Sequence, residues 1–80
     1  MTLDEILELY PEEEFLKADG FDKAIIGVDP NSMRLIYDRE QMITILIEDE
    51  EMEEIDAIEY LEYNTWNAYF GEQTPIYINI

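Results

Sequence analysis

Whatever this chain folds into has to hold like charges apart while still burying a core, because a formal charge of −17 falls on only 80 residues that are nonetheless 48% hydrophobic. Those two properties usually exclude each other. Acidic tails stay disordered for want of apolar and aromatic surface, whereas here six Tyr, three Phe and one Trp accompany a dense supply of Ile and Leu. The charge is therefore expected on the outside of a fixed fold. Twenty-one carboxylates against four basic side chains make a strong negative field. Such a field weakens the fold by self-repulsion and favours encounter with something positively charged.

The length suits one small α+β domain, residues 1–80, and a domain of this size buries only about 60% of the surface its unfolded chain exposes. Cys and His are both missing. That removes disulfides, zinc fingers, thiol nucleophiles, imidazole bases and the usual transition-metal sites. No catalytic residue, cofactor or resident metal is assigned, and a non-enzymatic protein is expected. Carboxylate pairs of the kind that hydrolyse glycosides arise by chance in so acidic a chain. The segment Asp29-Pro30-Asn31-Ser32-Met33-Arg34 begins like a calcium loop but lacks the third oxygen ligand and the following glycine. Only weak, nonspecific cation binding is expected, at the run from Glu48. Met1-Thr2-Leu3-Asp4-Glu5 carries no basic segment ahead of an apolar run, and no apolar stretch approaches the roughly 20 residues of a membrane helix. A cytoplasmic location is expected. Direct binding to nucleic acid or anionic lipid is disfavoured, since both are themselves negative.

Thr2 and Glu5 stand at the positions of a capping box, which predicts a helix from Leu3 to about Tyr10 with Leu3, Ile6 and Leu7 inward. Pro11 ends it. Glu12-Glu13-Glu14 is expected to open a further helical turn, Phe15-Leu16 to anchor the chain on the core, and Asp19-Gly20 to turn it. Ala24 to Val28 and Arg34 to Tyr37 flank Asp29-Pro30-Asn31-Ser32 as a hairpin. Asp38 is placed to cap a second helix with Met42, Ile43, Leu46 and Ile47 on one face. Four successive carboxylates, Glu48 to Glu51, then predict a turn. A third, longer helix follows from about Glu53, with Ile55, Ile58, Leu61, Thr65 and Ala68 inward and Gly71 as its stop. Ile76 to Ile80 alternates as a last strand with three isoleucines on one face. The order α-β-β-α-α-β predicts helices packed on one face of a three-stranded sheet. Strand order stays open, with the C-terminal strand beside the hairpin as one economical arrangement.

The stretch Phe15-Leu16-Lys17-Ala18-Asp19-Gly20-Phe21-Asp22-Lys23-Ala24-Ile25-Ile26-Gly27-Val28-Asp29 resembles a family of short acidic phage and prophage proteins of unassigned function. Asp56-Ala57-Ile58-Glu59-Tyr60-Leu61-Glu62-Tyr63-Asn64 and Gly71-Glu72-Gln73-Thr74-Pro75-Ile76 carry the same likeness. The similarity runs over nearly the whole chain. It implies a protein made inside a bacterial host, and it brings no catalytic motif. Members of that family have a shorter acidic turn than the run from Glu48 to Glu54, which implies that the acidity is specialised here.

Between Asp38 and Glu62 there are eleven carboxylates and only Arg39 to offset them. On the third helix Asp56, Glu59 and Glu62 recur every three residues, about 5 Å apart along the axis, comparable to the order-of-magnitude spacing of phosphates. Glu48, Asp49, Glu50 and Glu51 stand at the helix entrance, with Glu53 and Glu54 following. Such a row imitates a nucleic-acid backbone and suits the basic groove of a host defence or repair protein such as a CRISPR effector, a restriction enzyme or a DNA glycosylase. Tyr60 and Tyr63 fall beside the carboxylates as apolar contacts. The plainer account of the row is a solvated helix face, but the net charge far exceeds the magnitude of about 2 to 8 that solubility needs. Trp66 and Phe70 are expected in the core. A second function class remains open, in which an exposed aromatic patch from Tyr60 to Tyr69 pairs two chains into a homodimer.

Overall fold

A computed structural model describes all residues, 1–80, and its first helix, α1 (Leu3–Leu9), begins at the predicted box. The Thr2 hydroxyl accepts from the Glu5 N–H at 3.3 Å, and the Glu5 carboxylate accepts from the Thr2 N–H at 2.9 Å. These bonds hold the Glu5 carboxyl below its ordinary range. Ile6 is fully buried, whereas Leu7 faces solvent. So short a helix lets only one position per turn reach the core. No helical turn forms at Glu12 to Glu14, where three carboxylates repel one another and none offers apolar surface to bury. Phe15 packs against the core, but Leu16 does not, and the deep contact passes to Phe21.

The hairpin pairs β1 (Ile25–Asp29) with β2 (Arg34–Asp38), antiparallel, with a bulge between Ile25 and Gly27. Asp29 builds its turn. One carboxylate oxygen accepts from the Asn31 N–H and the other from the Ser32 hydroxyl, both at 3.0 Å, so Met33 can take a left-handed φ of 54°. The Asn31 bond, with the Ser32 bond second, holds the Asp29 carboxyl below its ordinary range. β2 runs directly into α2 (Arg39–Asp49), because the Asp38 carboxylate accepts from the Glu40 N–H at 3.0 Å and so caps the helix.

The inward face of α2 carries Met42, Ile45 and Leu46, with Ile47 exposed. Met42 and Leu46 face inward as predicted and Ile43 packs at the edge of the core, but the fourth inward position is Ile45 and not Ile47. The run from Met42 to Ile47 is apolar on nearly every side, so periodicity alone does not choose which face packs. Glu51 closes the helix in a left-handed conformation, φ 57°, as the Met52 N–H reaches back to the Leu46 carbonyl at 3.2 Å. α3 (Glu54–Leu61) follows and buries Ala57 and Leu61. Ile55, predicted inward, is 64% exposed; the small Ala57 admits the close approach of α2 instead.

Beyond Leu61 the helix widens into a π turn, Glu62–Trp66. Two amides hold it open: Asn64 Nδ2 donates to the Tyr60 carbonyl and Asn67 Nδ2 to the Glu62 carbonyl, each at 3.0 Å. Trp66 pins the turn to α2. Its indole N–H donates to the Met42 sulfur at 3.4 Å, and the Arg39 guanidinium lies 4.8 Å from its ring centroid. The helix therefore ends well before Gly71. That glycine, at φ 109°, serves a later turn in which Thr74 donates its hydroxyl to the Gly71 carbonyl at 2.7 Å and accepts from the Phe70 N–H at 2.8 Å.

β3 (Ile76–Ile78) adds parallel to β2, giving the order β1-β2-β3. The chain is thus a single α+β unit of order α-β-β-α-α-β. Register puts Tyr77 beside Tyr37 on the helix-covered face, their ring centroids 5.5 Å apart. The three isoleucines consequently point the other way, and Ile80 is 84% exposed. The strand stops at Ile78, two residues short of the predicted Ile80, and its inward face is the opposite one. Tyr37 is completely buried, with its hydroxyl accepting from the Ala18 N–H at 2.9 Å, and burial pushes its pKa up to about 12. No helix is long and apolar enough to cross a membrane.

Candidate partner-binding surface

The predicted acidic residues occupy one continuous support. Glu48 and Asp49 close α2, Glu50 and Glu51 form the connecting turn, and Glu53 precedes α3. Glu54, Asp56 and Glu59 lie on α3, and Glu62 opens the π turn. All nine are exposed. The two helices beneath them pack on each other through buried Met42, Leu46, Ala57 and Leu61, so the carboxylates stand on ordered backbone. Glu53, Glu54 and Asp56 also sit where the positive end of the α3 dipole favours them, while Glu48 and Asp49 crowd the negative end of α2.

Because a helix advances about 100° per residue, Asp56, Glu59 and Glu62 do not line up parallel to the axis. The row winds by about 60° per step across the outer side of α3, away from Ala57 and Leu61. Two apolar side chains share that side: Ile55, and Tyr63 at 87% exposure. Ile55 is a surface residue that its sequence context hid, since an isoleucine at helical spacing from Ile58 and Leu61 reads as core.

Nothing neutralises this surface from within. The molecule makes one ion pair, Lys17 to Asp22 at 3.8 Å. Arg34 donates inward to the Thr74 carbonyl, and Arg39 is taken by Trp66. No carboxylate from Glu48 to Glu62 has a basic partner. The other twelve acidic side chains lie on α1, at 12–14, at Asp19 and Asp22, at Asp29 and Asp38 of the hairpin, at Glu40 on α2 and at Glu72, so negative charge also extends beyond the candidate surface. No three carboxylates converge to ligating distance of a common point, and both Asp29 oxygens are occupied by their own turn.

Tyr60 and Tyr63 are both accessible but face different neighbours. Tyr63, 87% exposed, directly follows Glu62 on the π turn, whereas Tyr60, 45% exposed, lines a cleft of about 340 Å³ between the 16–21 segment, the π turn and the 70–77 segment. Phe70, predicted in the core, is 67% exposed at the rim of that cleft, and Trp66 is only partly buried. The cleft had one local sequence signal, Asn64 and Asn67 in an otherwise helical stretch, where amides compete for backbone carbonyls. Comparison of the chain with protein-family models, curated proteins and solved structures gave no match.

Proposed function

We propose that this protein is a non-enzymatic inhibitor that fills the basic nucleic-acid-binding site of another protein by imitating a phosphate backbone. The observation that carries the reading is the run from Glu48 to Glu62, nine carboxylates on two packed helices and the turns that join and extend them, without an ion-pair partner among them. Repulsion within such a set costs stability, and a groove lined by Arg and Lys relieves it on binding. Ile55 and Tyr63 supply the apolar contact that a purely charged surface lacks. The resemblance to short phage and prophage proteins supports a bacterial cytoplasm as the setting and a host defence or repair protein as the target, encountered as a counter-defence.

Capture from bacterial lysate on the immobilised protein, at low and high salt and with duplex DNA as competitor, tests this. A captured nucleic-acid-binding protein that DNA and salt both displace is the expected result. The triple variant Asp56→Asn, Glu59→Gln, Glu62→Gln is expected to lose capture while keeping its circular dichroism spectrum. A partner that duplex DNA leaves in place counts against mimicry, and capture that survives the triple variant acquits those three residues.

A second reading has its own observation. Tyr63, Tyr69 and Phe70 are largely exposed, and an aromatic patch of this kind pairs two chains when it is buried between them. Light scattering decides it, since a dimer has twice the 9.5 kDa chain mass. Low salt discriminates further, because repulsion between two bodies of this charge opposes pairing there.

A further inference from the structure

We infer that the cleft beneath Tyr60 is a receptor for one arginine side chain of the partner, a reading that rests on the partner being a basic protein. Four aromatic rings contribute to its walls: Phe21, Tyr60, Phe70 and Tyr77. At about 340 Å³ it lies at the small end of the range for ligand sites, about 300 to 1,000 Å³. That suits a single long side chain better than an extended ligand.

Aromatic walls alone would take any apolar group, so the polar part of the lining decides the class. Asp19 supplies a carboxylate with no ion-pair partner, and Thr65 supplies a hydroxyl. Asn64 has committed its amide nitrogen to the Tyr60 carbonyl, which leaves its side-chain oxygen without a hydrogen bond. These are acceptors around π faces, the complement of a planar cation with five N–H donors. The one cation in the lining, Lys17, is drawn to Asp22 at 3.8 Å. The field of a body carrying −17 adds to the preference, since it concentrates cations at the surface and does nothing for neutral groups. The protein already makes the same contact internally on this π turn, where Arg39 lies 4.8 Å from the Trp66 ring centroid.

Tyr60 joins the cleft to the acidic face. It stands on α3 directly after Glu59, so a basic groove that engages the row can place one arginine over the edge of the helix and into the cleft. The partner then gains an anchored contact in addition to screened attraction, and specificity that a row of charges lacks.

The test needs no partner. Acetyl-Ala-Arg-Ala-amide is titrated into labelled protein while the ring resonances of Phe21, Tyr60, Phe70 and Tyr77 are followed by NMR, beside peptides with Lys, citrulline or Leu in place of Arg. Expected are saturable ring shifts with a dissociation constant of about a millimolar and binding about fivefold weaker for Lys. Citrulline and Leu peptides are expected to give no saturation. Asp19→Asn and Tyr60→Leu each weaken the Arg peptide by about three- to tenfold, whereas the Asp56→Asn, Glu59→Gln, Glu62→Gln variant retains the ring shifts. Equal binding of citrulline or Leu peptide overturns the inference in favour of a neutral apolar slot. Shifts confined to α3 carboxylates, with the rings unmoved, overturn it in favour of unspecific ion pairing. Either failure leaves phosphate mimicry standing, because that is read by DNA displacement of a captured partner, and failure there leaves the peptide result intact.

Discussion

Glu5, Asp29 and Asp38 each accept hydrogen bonds from backbone N–H groups two or three residues away, whereas no carboxylate side chain between Glu48 and Glu62 accepts any. The same functional group serves opposite ends in the two regions. In the first, a short side chain completes backbone bonds that a helix start or a turn leaves open, and its charge strengthens them. In the second, the charge meets only water and other carboxylates, so it opposes folding and becomes useful when a cation arrives. Acidity in the N-terminal half partly builds the fold, while acidity over α2 and α3 is carried by it.

The strongest way to probe this contrast is to loosen what carries the displayed set. Leu61→Ala removes a fully buried side chain beneath α3 and is expected to cost about 2 to 5 kcal/mol in urea unfolding. Partner capture should fall with it; undiminished capture would show that the carboxylates need no rigid support. Next in size, Asp38→Ala removes the α2 cap at the strand-to-helix junction and is expected to cost about 1 kcal/mol. An equal loss on replacing the unbonded Glu59 with Ala would erase the distinction between the two regions.

Acid separates them more finely. The carboxyls of Glu5 and Asp29 lie below their unfolded values of 4.5 and 3.8. Their stabilisation is therefore complete above those pH values and is lost as pH falls through the lower folded ones. Asp29→Asn should then be less stable than the parent at neutral pH by a margin that narrows as pH falls below 3.8, measured as urea midpoints. A constant margin would mean the Asp29 bonds owe nothing to its charge. The smallest effect is expected from the Asp56→Asn, Glu59→Gln, Glu62→Gln variant, whose stability should rise by a few tenths of a kcal/mol at low salt and by less at high salt. A fall would place those side chains among the builders.

Legibility in the sequence follows the same division by distance. The Thr2–Glu5 box, the Asp29 turn and the Asp38 cap were all readable, because each is complete within two or three residues of chain. The acidic run was readable too, since no distant partner alters what nine exposed carboxylates present. Inward faces were legible only in part: Ile6, Met42, Leu46 and Leu61 are buried as expected. Ile45 packs where Ile47 was expected, Ala57 where Ile55 was, and Tyr77 where the alternating isoleucines were. In the two helices a single inward position is misplaced and in β3 the whole face is reversed, because an element apolar on several sides takes its orientation from whatever packs against it.

The local chemistry of this chain, its caps, its turns and the sign of its surface, was settled by residues that touch their own near neighbours. The parallel docking of β3 on β2 with Tyr77 facing Tyr37, the π turn stapled to α2 by Trp66, and the cleft drawn from three separate segments were settled by the assembled fold. Those features depend on side chains tens of residues apart meeting at a few ångströms. No window of sequence contains both members of such a contact, so no local pattern announces it.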